Sequence, residues 1–462
     1  MPRLKRSHPA RGRPCACHGL FYCSECWGKV RRCQLNVVSN LCVEIAYKRF
    51  EWKTGRKLNI IITLCLHVYV VGCIRQPNEL GNENMGNVIA CLEKETGRKC
   101  FDTFRRCLDH ERASLVEYDD FGREFVSEQG ETVRYSGSRD ISAIASEWID
   151  REPAFKLFLD GSRRTYKIAD VSIGTQVFPI IAGQVGVGVC KREKRCLSAC
   201  ELFLHTVLAF PDKLDSEGVN DKQHCAFLAK LANKLNASQS HVQFDRLLLY
   251  PTKANENFED KGIARIQEYM VEQEKEMVQL LVQKKIISDR SWLIKDGSLE
   301  YNRISDKNDR FMFSRIRSNY RRVVGVSKSF NPELAKLKNN RSAAGLIAQL
   351  KPFERTPAMM YKTDRVDGKF SIWYVRLREP RKHRGPFDGI VKVEKVLVSE
   401  KEIEYGLESS EVDNISAWLV NERNPVCYGK DDRWANHLYP VYLTETFIKS
   451  KYRSTVRFIN SF

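Results

Sequence analysis

Two copies of one tripeptide carry the strongest chemical signal in this sequence: Leu157-Phe158-Leu159-Asp160-Gly161-Ser162 and Trp292-Leu293-Ile294-Lys295-Asp296-Gly297-Ser298. Each aspartate follows an apolar run of the kind that makes a buried strand. Asp-Gly is also an ordinary turn after a strand, with Ser assisting, and a single copy would be read that way. Two copies, with an acid-bearing helix between them, favour a site where neighbouring strands end, the place at which open α/β sheets bind ligands. Two carboxylates delivered there make a hard-oxygen site suited to Mn²⁺ or Mg²⁺. A pair of such ions can activate a water and stabilise the leaving oxygen in an in-line attack on a phosphodiester.

The helix between the two aspartates is the natural source of a third carboxylate. Ile263, Ile266, Met270, Met277, Leu280 and Leu281 recur at three- to four-residue spacing, which predicts a helix over 262–284 with one apolar stripe. Of its acids Glu268, Glu272, Glu274 and Glu276, most belong to a solvated face. Glu274 and Glu276 flank the stripe at Met277 and are the candidates at its edge; the sequence does not separate them. Lys328 closes the strand-like run Val323-Val324-Gly325-Val326-Ser327, where an ammonium could hold a phosphate as a point cation, or be an ordinary exposed lysine. Arg315, Arg317, Arg321 and Arg322, with Tyr320 interleaved, form a candidate stripe for a nucleic-acid backbone, and Arg376 at the end of a later strand joins that set. The polar loop with Arg378, Arg381, Lys382, His383 and Arg384 is a second backbone candidate, although a solvated loop explains the same composition.

The elements that must position these groups read as α/β. From Pro153 onward short apolar runs alternate with helical segments, which argues for a mixed sheet flanked by helices. Phe370–Leu377 and Ile390–Val398 predict a C-terminal β-hairpin, followed by helix. Residues 85–150 read as a helical lead-in, with Val88, Ile89, Leu92, Phe101, Phe104 and Leu108 near helical spacing, and 151–462 as the main domain. No repeat of fixed period is present, which excludes a solenoid. The glycines of Ala182-Gly183-Gln184-Val185-Gly186-Val187-Gly188-Val189 sit inside a Val/Ile run and lack the order of a phosphate-cradling loop, so they indicate a bent or closely packed strand.

The chain's 462 residues carry 76 Lys+Arg against 58 Asp+Glu, a net +18 that makes a polyanion the default partner. Half of that excess lies before residue 85, where 14 basic residues face five Glu and no Asp. Eight of the 16 cysteines lie there too. The first Met after Met1 is Met85, and two readings of this poorly defined Cys-rich segment stay open: a translation start set too far upstream, or a Zn²⁺ site on Cys15, Cys17, His18, Cys23, Cys26 and Cys33, of which only Cys23/Cys26 has the favoured knuckle spacing. The run Ile60–Ile74 is shorter than the ~20 residues that span a bilayer, so no membrane partner is expected. It also starts too far in to be a signal peptide, and the unevenly spaced cysteines point to a cytoplasmic protein without a disulfide framework.

At these same residues the chain resembles the NurA nucleases. The resemblance spans about 153–450. It is carried by Leu159-Asp160-Gly161-Ser162, the acidic helix, Ile294-Lys295-Asp296-Gly297-Ser298-Leu299, Val324-Gly325-Val326-Ser327-Lys328-Ser329, Trp373-Tyr374-Val375-Arg376-Leu377, Val391-Lys392-Val393-Glu394 and Leu438-Tyr439-Pro440-Val441-Tyr442-Leu443. It implies an RNase H-like core, Mn²⁺ held by Asp160, a helix Glu and Asp296, and Lys328 as the family's strand-end lysine. It further implies single-strand endonuclease and 5′-to-3′ exonuclease action on DNA, a homodimer, and a HerA-type hexameric ATPase as partner in end processing, repair or phage defence. Two departures stand out. Phe447 occupies the position where the family often has His, and His437, though nearby in sequence, is not assigned that role. About three extra residues separate the helix glutamates from Asp296. A scaffold that binds nucleic acid but has lost cleavage is the alternative.

Overall fold

Long strands largely buried on both faces build the centre of this molecule. The computed structural model describes residues 87–109, 128–214, 221–238, 242–253, 257–299, 317–335, 341–363, 366–379, 385–427 and 433–462. The cysteine cluster at 15–33, the apolar run at 60–74, Arg315 and the loop residues Arg381, Lys382, His383 and Arg384 lie outside them.

Residues 84–462 form one compact unit. Along the chain come α1 (Asn87–Thr96), β1 (Cys100–Cys107), β2 (Glu128–Gln129), β3 (Arg139–Asp140), α2 (Ser142–Trp148), β4 (Phe155–Ile173), β5 (Gln176–Glu193), β6 (Cys196–Pro211), α3 (Asp221–Ser238), β7 (Arg246–Tyr250), α4 (Phe258–Gln283), β8 (Trp292–Asp296) and β9 (Val323–Ser327). Then follow β10 (Glu354–Arg355), β11 (Met359–Thr363), β12 (Val366–Arg376), β13 (Ile390–Val396), α5 (Ser409–Asn421), α6 (Tyr439–Lys449) and α7 (Thr455–Ile459). The strands form one mixed sheet in the order β2-β11-β12-β13-β9-β8-β4-β5-β6-β7, with β1 added on β4 and β10 and β3 beside β12. Helices cover both faces, as the alternation of elements predicts.

The predicted hairpin is present: β12 and β13 pair antiparallel from Phe370↔Val396 to Arg376↔Ile390. The lead-in differs from its helical reading, because β1, β2 and β3 are strands of the sheet. Phe101 and Phe104 lie on β1, with Phe104 exposed. Their spacing fits a helix in isolation, but pairing with β4 at Phe101↔Asp170 prevails. Tertiary pairing routinely overrides a short local pattern of this kind.

Two positions explain how the helices sit. Asn257 caps α4 by accepting from Glu259 N, Glu259 and Asp260 follow in the first turn, and Ile263, Ile266, Met270, Met277 and Leu281 are buried against Leu157, Leu159, Val185 and Val187 of the sheet. On the opposite face α6 lies directly on β5. A Cβ on Gly186 or Gly188 would come 2.6 or 2.7 Å from Ile448, so this stretch is the closely packed strand that its sequence indicates.

Candidate active site

Strand alternation fixes which groups can meet. β8 runs parallel to the first part of β4, with Leu159 opposite Lys295. The next residues, Asp160 and Asp296, therefore occupy neighbouring positions on adjacent strands, which lie ~4.8 Å apart. Asp160 pairs across β5 with Gly188 and so shares the α6 face. β9 joins β8 with Asp296 opposite Val326, which brings Lys328, just past the end of β9, to the same place. Lys328 Nζ lies 2.8 Å from Asp296 Oδ2 and 3.6 Å from Glu445 Oε2 of α6.

The two Asp-Gly-Ser copies prove structurally different. Asp296 ends its strand, and Gly297 turns the chain at φ +83°. Asp160 stands inside a 19-residue strand that continues straight through Gly161 and Ser162, so it is not at a strand tip. The acids still become neighbours, because β8 is short and stops beside the middle of β4.

The electrostatics follow from burial. Burial raises the Asp160 carboxyl well above the usual aspartate range, and the facing Asp296 charge raises it further. Burial works against the charge on Lys328, yet Asp296, Glu445 and Asp160 together hold that ammonium above the usual lysine value. Burial likewise opposes the charge on Glu445, but Lys328 and Lys449 keep it below the ordinary glutamate value, and His437 adds to that. This is a cluster of three acids around one fixed cation.

Glu274 is on the other face. Gly161 points opposite to Asp160, and a Cβ there would collide with Glu274 Oε1. Glu274 Oε2 is paired with Lys295 Nζ at 2.7 Å, and Lys295 also donates to the carbonyls of Asp296 and Ser298, both at 3.1 Å. Beside this pair Glu394 Oε2 accepts from Ser298 Oγ at 2.8 Å and Leu299 N at 2.7 Å, while Lys392 Nζ neutralises Oε1 at 2.7 Å. Two buried ion pairs thus grip the turn that carries Asp296 from beneath the sheet. Glu274 is a support of that turn and not a member of the Asp160–Asp296 face. Glu276, the other helix candidate, is exposed and accepts from Gln273 Nε2 at 3.1 Å, away from both groups.

Several expected nucleic-acid residues also sit elsewhere. Arg376 is buried and donates to the carbonyls of Ala348, Pro386 and Asp388, which makes it a loop anchor and not a backbone contact. Arg378 is buried too, on the carbonyls of Ala435 and His437. Arg322 donates to Asp289 and stacks on Trp292; with exposed Arg321 it precedes β9, at the opposite end of that strand from Lys328. Arg317 lies further back in the same approach to β9. Phe447 is half-buried under Lys451.

The sequence reading missed Glu445 and the roles of Lys295, Lys392 and Glu394. A signal existed for Glu445: Val441, Thr444 and Ile448 are among the buried positions of α6, and Glu445 stands beside them on that stripe. Charges at Lys392 and Glu394 inside a strand that is buried throughout likewise call for buried partners.

The donor set can be weighed for a divalent ion. Among the described residues, no three His, Cys, Asp or Glu side chains are grouped to hold a metal by themselves. The helix glutamates therefore do not complete the expected ligand set. Asp160 and Asp296 do suit a hard cation: two facing carboxylates, one of them buried, call for positive charge, and Mg²⁺ or Mn²⁺ is commonly held by one or two carboxylates with water and phosphate oxygens.

Burial opposes the charge on Glu394, but Lys392, Leu299 N and Ser298 hold its carboxyl below the ordinary value of 4.5. A carboxyl depressed on folding stabilises the native state above its unfolded pKa, and that stability is lost as pH falls through the folded value. The thermal midpoint of wild type is expected to fall more steeply below pH 4.5 than that of Glu394→Gln, although the variant starts lower at pH 7. Parallel acid branches would show that Glu394 is not held ionised.

No family model and no curated protein matches the chain. Among solved structures it is similar to the crystal structure of the NurA nuclease from Sulfolobus solfataricus, at 10% identity and a TM-score of 0.31, over 66% of this chain and 87% of that one. A likeness this slight does not identify an activity. No helix of the described residues is long and apolar enough to cross a membrane.

Proposed function

We propose that this chain is a divalent-metal-dependent phosphodiester hydrolase acting on DNA. The observation that carries the reading is the placement of Asp160 and Asp296 on neighbouring strands of one face, with the Lys328 ammonium 2.8 Å from Asp296 and Glu445 beyond it. Opposed carboxylates with a buried cation suit a substrate that arrives as a phosphate anion together with a metal ion.

In this mechanism Asp160 and Asp296 would hold Mn²⁺ or Mg²⁺, which would supply Lewis acidity when bound. Lys328 is a fixed point charge placed to hold a phosphate oxygen or to offset charge developing on it. The Lys295–Glu274 and Lys392–Glu394 pairs keep the Asp296 turn from shifting, and such preorganisation matters where a misplacement of ~1 Å costs rate. Single-strand endonuclease and 5′-to-3′ exonuclease action, a homodimer and a HerA-type ATPase partner belong to this proposal on the strength of the motif resemblance alone. So do a cytoplasmic setting and a role in end processing, repair or phage defence.

The scaffold reading is favoured by the cation that Lys328 already supplies to the acids, which among the described residues are not grouped in a set of three that could hold a metal. Incubating the full chain with end-labelled single-stranded and 5′-recessed DNA in Mn²⁺, Mg²⁺ or EDTA separates the two. Cleavage in Mn²⁺ that stops in EDTA is the expected result. Salt-dependent binding with no cleavage in either metal would establish the scaffold, and neither binding nor cleavage would overturn both.

A further inference from the structure

Resting on the nuclease reading, the geometry points to a strand-binding subsite beside the acids, made by Arg164 and Tyr452, that takes a flanking phosphate and base of single-stranded nucleic acid. Asp160, Ser162 and Arg164 alternate along β4 and so share the α6 face. Arg164 lies four residues from Asp160, ~13 Å along the strand. That distance suits a neighbouring phosphate and not the one at the acids. Between them Tyr452 lies across the strand, its Oη donating to Ser162 O at 2.6 Å.

Three features distinguish this pair from ordinary surface charge. First, no described carboxylate pairs with Arg164, whereas Arg163, next in sequence and on the other face, is tied to Asp109 at 2.8 Å and to Gln267 at 2.7 Å. The guanidinium on the acid-bearing face is the uncompensated one. Second, that guanidinium lies 5.4 Å from the centroid of the Tyr452 ring, giving a planar cation and an aromatic plane in one place. Such combinations bind single strands without reading sequence, the cation on the phosphate and the ring on a base. Third, the platform is held in advance: Gln184 Nε2 donates to Arg453 O at 3.2 Å, and Arg453 N donates back to Gln184 Oε1 at 2.8 Å. A ring fixed before the ligand arrives loses little freedom on binding.

The test is an anisotropy titration of labelled oligo-dT with the full chain in EDTA, at several salt concentrations, which requires no cleavage. Arg164→Ala is expected to weaken binding about tenfold and to reduce the salt slope by about one, as loss of a single phosphate contact does. Arg164→Gln, which keeps the aliphatic stem and a polar end but not the charge, should match it, so a folding defect in the alanine variant would not hide the result. Tyr452→Leu is expected to weaken binding about tenfold with the slope unchanged, since stacking carries no counterion term. Arg195→Ala, which removes an exposed charge at the β5–β6 turn, is the control and should bind as wild type does. Wild-type affinity and slope in both Arg164 variants would overturn the subsite while leaving the nuclease reading intact. Failure of wild type itself to bind oligo-dT in EDTA would also overturn the subsite, whereas the nuclease reading falls only if cleavage in Mn²⁺ fails as well.

Discussion

Asp296→Asn is expected to lower Mn²⁺-dependent cleavage of single-stranded DNA by about 10³-fold, with oligonucleotide binding in EDTA retained. Removal of one preorganised charge at a reaction centre costs losses of this order. Asparagine keeps the side chain's size but removes the charge that faces Lys328 at 2.8 Å and half of the carboxylate pair. Asp160→Asn should behave alike, because its carboxyl is the other half. Glu274→Gln is expected to have an intermediate effect: the amide leaves Lys295 without its anion and loosens the turn, but no metal-side oxygen is lost. Glu276→Gln should cleave as wild type does. The ordering is the test. A Glu274→Gln loss as deep as that of Asp296→Asn, with an unchanged thermal midpoint, would restore Glu274 as a ligand. Full activity in both aspartate variants would end the hydrolase proposal.

Arg355→Met is expected to destabilise the fold by about 3–5 kcal/mol, the range for breaking a buried ion pair from one side. Arg355 is fully buried. It donates to both carboxylate oxygens of Glu131 at 2.9 and 2.8 Å and to Asp413 Oδ1 at 2.7 Å. Glu131 also accepts from Ala358 N at 2.7 Å, and Arg139 reaches Asp413 Oδ2 at 2.7 Å. The cluster joins the segment bearing β2 and β3 to the β10–β11 region and to α5. Methionine would leave Glu131 buried without its counterion and Asp413 with Arg139 alone. Replacing all three members, as Arg355→Met with Glu131→Gln and Asp413→Asn, should recover much of the loss, since a buried pair removed whole costs little. Denaturant unfolding of both variants checks this. A single variant within 1 kcal/mol of wild type by that measure, the spread of ordinary surface changes, would show that the cluster is solvated in solution.

Much of the site is legible in the sequence, for reasons that belong to particular residues. The apolar runs before Asp160 and Asp296 marked buried strands, and the spacing from Ile263 to Leu281 marked α4. Phe370–Leu377 and Ile390–Val398 marked the β12–β13 pair. Each is a local periodicity, set by 2.0 or 3.6 residues per turn and by the need to bury one face. The error over Phe101 and Phe104 has the same origin, since a few apolar residues fit either period.

The partition between the two faces belongs to the tertiary structure. A one-residue slip in the Leu159↔Lys295 register would turn Asp296 away from Asp160 and put Lys295 in its place. That register is set by packing among segments more than a hundred residues apart, and no local pattern records it. For the same reason the sequence could place Glu274 and Glu276 near the edge of an apolar stripe but could not show that one is locked to Lys295 and the other faces solvent. It also left Arg376 looking like a surface arginine, because a buried guanidinium is identified by the three carbonyls around it, and those come from other parts of the chain. The residue types that do the chemistry were thus determined locally. Their meeting was decided by strand register and long-range burial, the terms that a one-dimensional pattern does not contain.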